Sequence, residues 1–257
     1  MDELEEMRRI NEAQRQYYEG GNATSDRNDQ SSATNLYRRL RRLALSGLPD
    51  LNAEVRRLHK EWLPPLSDKR VLDLGAGSGT PMSVWLSKRA GEYIACDLSA
   101  SSLAHLEEKV AEVRVIQDDF LNSDFPVTSA DVVYAHSVLH HFKHLGPALD
   151  KLRAVLQPDG VAVTHDPLIT WPPYRWLRKA LGTFKSDSAW EHPWRWQDLE
   201  AISTRFDVAH IQGLLGASKW GLLLTWAAET LHERDLRQAT DLSSVGHCLR
   251  VAMCFHA

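Results

Sequence analysis

Between residues 67 and 165, short apolar runs alternate with longer stretches in which apolar residues recur at helical spacing. Such alternation is typical of βαβ units and predicts an α/β fold with a mostly parallel sheet. The first run contains Val71, Leu72 and Leu74, and its nearly continuous apolar character suits a strand buried on both faces. The runs that we interpret as strands cover residues 71–74, 92–97, 113–119 and 160–167, and the fourth strand begins at residue 131.

The pattern changes before this central part. Residues 1–66 are helical in pattern, with a break at Gly20-Gly21 and a polar stretch after it, and Pro64-Pro65 ends the last helix. We therefore expect residues 1–66 to form a helical cap or lid on a catalytic domain at residues 67–257. The remaining expected elements are helices at 33–45 and 51–63 and strands at 206–211 and 248–255.

Three glycines, Gly75, Gly77 and Gly79, follow the first strand at alternate positions. Glycine is favoured where a backbone turns sharply, brings its amides close to a ligand and starts a helix against the sheet. Dehydrogenases that bind a pyrophosphate use the different spacing Gly-x-Gly-x-x-Gly. In addition, Asp73 lies at the end of the strand, where its carboxylate would repel a phosphate and attract an ammonium group. This turn, which includes Ala76, predicts a site for a nucleotide-like cofactor that carries an amino-acid moiety.

Residues 71–80 resemble the first motif of the class I S-adenosylmethionine-dependent methyltransferases, in particular those that act on small molecules. The resemblance implies a Rossmann-like sheet and S-adenosylmethionine as the cofactor. Asp97 ends the second strand 22 residues after Gly75, the spacing at which a carboxylate binds ribose hydroxyls, and Leu98 follows it. Asp97 also has a second, compatible interpretation as the N-cap of a helix expected at 102–113.

The third strand ends in Asp118, Asp119 and Phe120. In the family that the chain resembles, an acid at this place accepts a hydrogen bond from the adenine amino group, and a backbone amide after it contacts the ring. Asp119 and Phe120 fit these roles best, whereas Asp118 stands where the family more often has glycine. Either acid is therefore a candidate, and the alternative is that both belong to a solvated loop.

Histidines follow the fourth and fifth strands, whose carboxyl ends face the cofactor crevice of an open α/β sheet. The Leu-His-His sequence that ends at His141 resembles a motif in which some O-methyltransferases use a histidine as general base. Histidine suits this role because its pKa lies near neutrality. We expect His141 to be the base and Asp166 to orient it. His140 and His165 are further catalytic candidates, and His136 is a candidate for cofactor binding. Alternatively, the paired histidines only orient loops and Asp166 caps the next segment.

Aromatic residues mark two further regions. Tyr18 lies on the first helix, and in related methyltransferases an aromatic residue there belongs to a lid over the cofactor; the alternative is ordinary packing. Residues 166–205 form a tryptophan- and proline-rich insert, whose aromatic walls would hold an apolar, planar or cationic acceptor. The basic run at residues 38–42 is interpreted as the wet face of an amphipathic helix.

The composition is that of a compact enzyme with one catalytic domain: 257 residues, of which 43% are hydrophobic and 25% charged. A net charge of −4 gives no electrostatic case for nucleic acid. Three cysteines without C-x-x-C spacing predict a reducing compartment and no bound metal. Since there is no export signal and no apolar run that could span a membrane, we expect a cytoplasmic location.

No motif identifies the methyl acceptor. We predict a methyltransferase of secondary metabolism that acts on a small molecule, at oxygen, with a histidine as base. The fourth strand is not followed by Asn/Asp-Pro-Pro-Tyr, which argues against the amines of nucleobases and glutamine. The alternatives are N- or C-methylation, a nicotinamide-dependent oxidoreductase, and a non-catalytic partner protein that binds S-adenosylmethionine.

Overall fold

A computed structural model of the chain describes residues 3–19, 50–122, 130–181, 190–222 and 224–257. Three of the sequence-based expectations lie outside these residues. They are the break at Gly20-Gly21, the helix at 33–45 and the basic run at 38–42.

Seven strands form one sheet. They are β1 (Arg70–Leu74), β2 (Glu92–Asp97), β3 (Arg114–Gln117), β4 (Ala130–His136), β5 (Leu156–Pro167), β6 (Asp207–Leu214) and β7 (Arg250–His256). Their order in the sheet is β3-β2-β1-β4-β5-β7-β6. β1 to β5 are parallel, and β7 is antiparallel to both of its neighbours. The predicted α/β fold with a mostly parallel sheet is confirmed.

Helices cover the sheet. They are α1 (Glu3–Glu19), α2 (Leu51–Trp62), α3 (Pro81–Ser87), α4 (Ala100–Glu107), α5 (Leu145–Val155), α6 (Pro172–Leu181), α7 (Trp196–Ser203) and α8 (Ala228–Gln238). Short 3₁₀ turns lie at Leu139–His141, Ser218–Leu222, Thr225–Ala227 and Ser244–His247. α2 agrees with the helix expected at 51–63, since Asp50 caps its start and Pro64 follows its end.

The hydrophobic core has two layers, one on each face of the sheet, because alternate strand residues point to opposite faces. Along β1, Leu72 and Leu74 belong to one layer and Val71 to the other. Leu149 of α5 packs in the first layer, and Leu86 of α3 packs in the second. The central strands are therefore apolar on both faces, as their sequences indicate.

The helix after β2 is shorter than its sequence pattern suggests. The pattern predicts a helix over residues 102–113, but α4 ends at Glu107. Its N-cap is Ser99, whose hydroxyl accepts a hydrogen bond from the Ser102 amide. Asp97 is therefore not the cap of this helix.

The three cysteines, Cys96, Cys248 and Cys254, are buried and not paired in disulfides. Among the residues that the structure describes, no helix combines the length and the apolar character needed to cross a lipid bilayer.

Candidate functional site

The chain leaves β1 in a turn made by three glycines with left-handed backbone angles. The φ values are 64° at Gly75, 53° at Gly77 and 78° at Gly79. A Cβ at Gly75 would lie 2.3 Å from Cγ2 of Val138, so both the angle and the packing require glycine there. A Cβ at Gly77 would meet no atom within 4 Å, and Gly77 lines a cavity. Glycine at position 77 therefore leaves space in which a ligand can approach the backbone.

The cavity has a volume of about 240 Å³ and lies at the carboxyl ends of the central strands, where ligands bind in open α/β sheets. Most of the residues that we expected to contact a cofactor line it: Tyr18, Gly75, Gly77, Asp97, Leu98, Asp118, Asp119 and Phe120. The remaining candidates lie outside its wall: Asp73, Ala76, Gly79 and His136.

Asp97 is fixed on the cavity wall by two backbone amides. Its Oδ2 accepts a hydrogen bond from the Gly77 amide at 2.9 Å, and its Oδ1 accepts one from the Ser99 amide at 2.9 Å. Burial raises the pKa of Asp97, while these amides oppose the rise because they stabilise the carboxylate. Each oxygen retains a lone pair that can accept a hydrogen bond from a ribose hydroxyl.

Two neighbouring carboxylates lie farther along the cavity. Oδ1 of Asp119 accepts hydrogen bonds from Nδ2 of Asn11 and from the Leu121 amide, both at 2.9 Å. Burial raises the pKa of Asp119. Oδ1 of Asp118 accepts a hydrogen bond from the Asp119 amide at 2.8 Å. Both acids line the cavity beside Phe120, where their carboxylates can accept hydrogen bonds from a ligand.

Asp73 does not reach the cavity, and its expected contact with an ammonium group is corrected. It alternates along β1 with Leu72 and Leu74, so its side chain points to the other face of the sheet. There its Oδ2 accepts a 2.6 Å hydrogen bond from the hydroxyl of Tyr93. Burial raises the pKa of Asp73 to about 6. The Asp73 side chain thus links β1 to β2 through Tyr93, on the face of the sheet away from the cavity.

Three other residues that we expected to bind the cofactor also lie outside the cavity wall. The Ala76 amide donates to the Cys96 carbonyl at 3.0 Å, and the Gly79 amide donates to the Ala76 carbonyl at 3.0 Å, so both residues shape the turn. The ring of His136 stacks on His165, with centroids 4.8 Å apart. Burial lowers the pKa of His136 to about 4. The expected contact between His136 and the cofactor is therefore corrected: this half-buried ring lies outside the cavity wall, stacked between Tyr134 and His165.

One face of α1 covers the cavity. Asn11, Gln14 and Tyr18 lie three to four residues apart on the helix, and all three line the cavity. Asn11 donates to Asp119, and Nε2 of Gln14 lies 2.8 Å from Nδ1 of His141. Asn11 and Gln14 were not predicted from the sequence. The signal that could have found them is their helical spacing with Tyr18, which puts the three side chains on one face of α1.

Asp166 pairs with His140 and not, as expected, with His141. Oδ1 of Asp166 lies 2.7 Å from Nδ1 of His140 and accepts a 3.1 Å hydrogen bond from the His140 amide. Both side chains are buried. Only one of the two histidines can face Asp166, because residues 139–141 form a 3₁₀ turn in which consecutive side chains point in different directions.

His141 faces the cavity instead. Its ring centroid lies 4.4 Å from that of His140, and the Gln14 amide donates to its Nδ1. Burial lowers the pKa of His141 to about 4, and a hydrogen bond to the Trp190 backbone opposes this shift. The imidazole is therefore neutral at neutral pH.

His165 is not brought to the cavity. It lies in β5 with no exposed surface, and neither ring nitrogen has a hydrogen-bond partner among the residues that the structure describes. Burial lowers the pKa of His165 well below its usual range. Its candidacy as a catalytic base is corrected for this reason.

Ser137 is a further cavity residue that the sequence analysis missed. It follows β4 with a φ of 59°, which is unusual for a residue other than glycine, and its amide donates to the His165 carbonyl at 2.8 Å. Val138 and Phe142 extend the same wall. Backbone strain of this kind is often found at ligand sites, because surrounding contacts are needed to maintain it.

These residues fit S-adenosylmethionine. The open space beside Gly77 can receive the part of a ligand that lies against the backbone, and Asp97 and Asp119 supply acceptors for hydroxyl and amino groups. In the described ranges, no three or more His, Cys, Asp or Glu residues are grouped so that they could hold a metal ion.

Comparisons with known proteins agree with this geometry. Residues 72–164 match the family model described as a methyltransferase domain. An uncharacterized methyltransferase of Mycobacterium tuberculosis is 25% identical over 180 residues, which cover 64% of this chain and 89% of that protein.

Two solved structures share the fold. An S-adenosylmethionine-dependent methyltransferase from Mesorhizobium loti superposes with a TM-score of 0.59 at 18% identity, covering 78% of this chain and 96% of that one. The geranyl diphosphate C-methyltransferase of Streptomyces coelicolor A3(2), in complex with S-adenosyl-L-homocysteine, has a TM-score of 0.55 at 17% identity, covering 80% and 75%.

Proposed function

We propose that this chain, whose residues 72–164 match a methyltransferase domain, is a class I S-adenosylmethionine-dependent methyltransferase that methylates an oxygen atom of a small molecule, in secondary metabolism, with His141 as the general base. The cofactor, when bound, supplies an electrophilic methyl group. The observation that carries the proposal is the position of His141 on the wall of the cavity that also includes Gly77, Asp97 and Asp119.

Different residues of the chain bind different parts of the cofactor. Asp97 holds the ribose hydroxyls, Asp119 or Asp118 accepts a hydrogen bond from the adenine amino group, and the backbone at Gly75 and Gly77 lies against the amino-acid end. Tyr18 on α1 covers the cavity on the side of that helix. The insert at 166–205 contributes to the acceptor side, where Trp190 contacts His141 through its backbone.

His141 receives the proton of the acceptor. S-adenosylmethionine would supply the methyl group to the acceptor oxygen, and the proton of the acceptor hydroxyl would pass to Nδ1 of His141. The charged imidazole that results lies against His140, whose partner is the carboxylate of Asp166. Gln14 donates to the same Nδ1, so the acceptor hydroxyl must take the place of the Gln14 amide.

The proposal is tested by replacing His141 with alanine. A mass-spectrometric screen of phenols, sugars, carboxylic acids and amines first provides a methyl acceptor. His141→Ala is then expected to lower turnover by roughly 10²–10⁴-fold, the usual contribution of a positioned base, while the affinity for S-adenosylmethionine remains unchanged in calorimetry. The matched control is His105→Ala on the exposed face of α4, which should retain full activity.

Other variants and the pH profile distinguish the alternatives. Asp166→Asn should cost less than His141→Ala, and the double variant should be little worse than His141→Ala alone. Since the pKa of His141 is lowered to about 4, turnover should be level from pH 8 to 6 and fall as the ring is protonated below about pH 5. Near-normal turnover in His141→Ala with loss in His140→Ala would move the base to His140.

Full activity in both histidine variants would contradict a protein base. Methyl transfer to an amine or a carbon would then be the better assignment, and the Streptomyces coelicolor protein that shares this fold is named as a C-methyltransferase. Methylation of the amines alone in the screen would lead to the same conclusion.

A further inference from the structure

Two segments of the C-terminal half contain no acidic residue, although the chain has 34 in total. One covers residues 167–185 and includes Arg175, Arg178, Lys179 and Lys185; the other covers residues 208–228 and includes the apolar run 221–228. Neither segment lines the cofactor cavity, and the residue of the insert that contacts the proposed base, Trp190, lies outside both segments. Their basic and aromatic composition contrasts with the net charge of −4 of the whole chain.

Tertiary structure brings the two segments together. The rings of Trp171, just before α6, and Trp220 meet edge to face with centroids 5.9 Å apart. Nζ of Lys219 lies 4.1 Å from the centroid of the Trp171 ring. The start of α6 and the turn at Ser218–Leu222 are therefore neighbours on the surface.

These neighbouring segments expose large apolar side chains. Trp176 on α6 is 76% exposed, and Trp226 and Trp220 are 85% and 48% exposed. Arg175 and Lys179 on α6 are exposed as well, one on each side of Trp176 in the sequence. Leaving tryptophan rings in water is unfavourable, and monomeric proteins seldom expose such a group without a partner.

We propose that α6 together with residues 218–222 and 224–227 docks on the surface of an anionic lipid bilayer. Tryptophan prefers the interface between water and lipid, because its ring is apolar and its N–H is polar. Arg175 and Lys179 beside it would be attracted to the negative headgroups, whereas Arg178 is paired with Glu191, and neither segment contains an acidic residue. The exposed rings and the positive charges thus fit one occupant, a negatively charged lipid surface.

The proposal is tested by co-sedimentation of the full-length protein with vesicles. We expect binding to vesicles of phosphatidylcholine with phosphatidylglycerol, weaker binding to phosphatidylcholine alone, and loss of binding at high salt. The double variant Trp176→Ala/Trp226→Ala should weaken binding by roughly tenfold, since its rings no longer insert. Arg175→Glu and Lys179→Glu should each weaken it by roughly fivefold or more.

The matched control is Trp85→Ala. Trp85 lies on α3, where its ring is in contact with Lys60 and Arg89, outside the docking surface. This variant should bind vesicles like the wild type. All variants should bind S-adenosylmethionine normally, so that a failure here is distinct from a failure of the proposed methyl transfer.

Three results would overturn the proposal: no binding of the wild type to anionic vesicles, equal binding to neutral ones, or unchanged binding of the Trp176→Ala/Trp226→Ala variant. A fourth such result would come from light scattering. If the wild type is a dimer and the Trp176→Ala/Trp226→Ala variant is a monomer, the exposed rings form a contact between two copies of the chain, and the lipid proposal is wrong.

Discussion

The role of an individual residue in this protein depends on the direction in which its side chain points. Asp73 and Asp97 both end a strand beside the glycine turn, yet Asp73 binds the Tyr93 hydroxyl below the sheet and Asp97 lines the cavity. Two adjacent histidines differ in the same way, since the side chain of His140 faces Asp166 and that of His141 faces the cavity. Residue type alone therefore does not assign a role; the direction of the side chain does.

Asp97→Ala is expected to weaken S-adenosylmethionine binding by about 1–3 kcal/mol, roughly 5–150-fold in affinity, because a charged acceptor of ribose hydroxyls is lost. Titration calorimetry measures the change. The control is Asp159→Ala, which removes an exposed acid near the start of β5 and should leave the affinity unchanged. Wild-type affinity in a folded Asp97→Ala variant would exclude Asp97 from cofactor binding.

At the scale of elements, α1 is attached to the rest of the fold by Met7, which packs in the hydrophobic core, and by several polar side chains. Asn11 and Gln14 bind Asp119 and His141, and near its ends Glu6 binds Lys143 and Glu19 binds Gln117. Two of these partners are the acid proposed for adenine and the proposed base. Ligands that occupy those groups therefore change the contacts that hold the helix in place.

We expect amide hydrogen exchange in residues 3–19 to slow when S-adenosylmethionine is bound, because a ligand under the helix adds contacts to its cavity face. Exchange measured by mass spectrometry with and without cofactor tests this. β4 and β5 serve as the internal reference, since buried strands should exchange slowly in both states. Equal exchange of α1 in both states would make it a static part of the fold rather than a lid.

At the scale of the whole molecule, a group of buried and half-buried histidines makes the free energy of unfolding depend on pH. His59 of α2 lies over the sheet, with its Nε2 3.1 Å from the Thr164 carbonyl and its ring near Tyr134 and His136. Burial lowers the pKa of His59 to about 3 and that of His136 to about 4. His165 belongs to the same group.

The sign of the effect follows from proton binding. Each buried histidine has a lower pKa in the folded state than its ordinary value near 6.5, so the unfolded chain binds more protons at acidic pH. The free energy of unfolding should be level above about pH 6.5 and fall as the pH approaches 4. The loss is about 1.4 kcal/mol for each pH unit and each histidine.

His59→Gln removes one of these protonation sites and retains a donor for the Thr164 carbonyl. The variant should lose less free energy of unfolding between pH 7 and pH 5 than the wild type, as measured by urea titration. His105→Gln, at an exposed histidine on α4, is the control and should follow the wild-type curve. A His59→Gln variant with the wild-type slope would show that His59 does not take part.

The sequence by itself determined the features that depend on local backbone and side-chain type. The alternating apolar runs predicted the parallel sheet, because strands buried on both faces need nearly continuous apolar residues. The glycines at 75, 77 and 79 predicted the turn, because few other residues adopt left-handed angles so readily. Asp97 was singled out by its spacing after Gly75 and Asp119 by the resemblance to the methyltransferase family, and both line the cavity at the carboxyl ends of the parallel strands.

Only the tertiary structure decided how side chains meet across long separations. The contact of Gln14 with His141 joins residues 127 positions apart, and no local pattern encodes such a pair. The pairing of Asp166 with His140 depends on the 3₁₀ turn, which rotates His141 away from the carboxylate. Asp73 and His165 are directed into the interior by the alternation of their strands, whose absolute orientation is set only when helices pack on both faces.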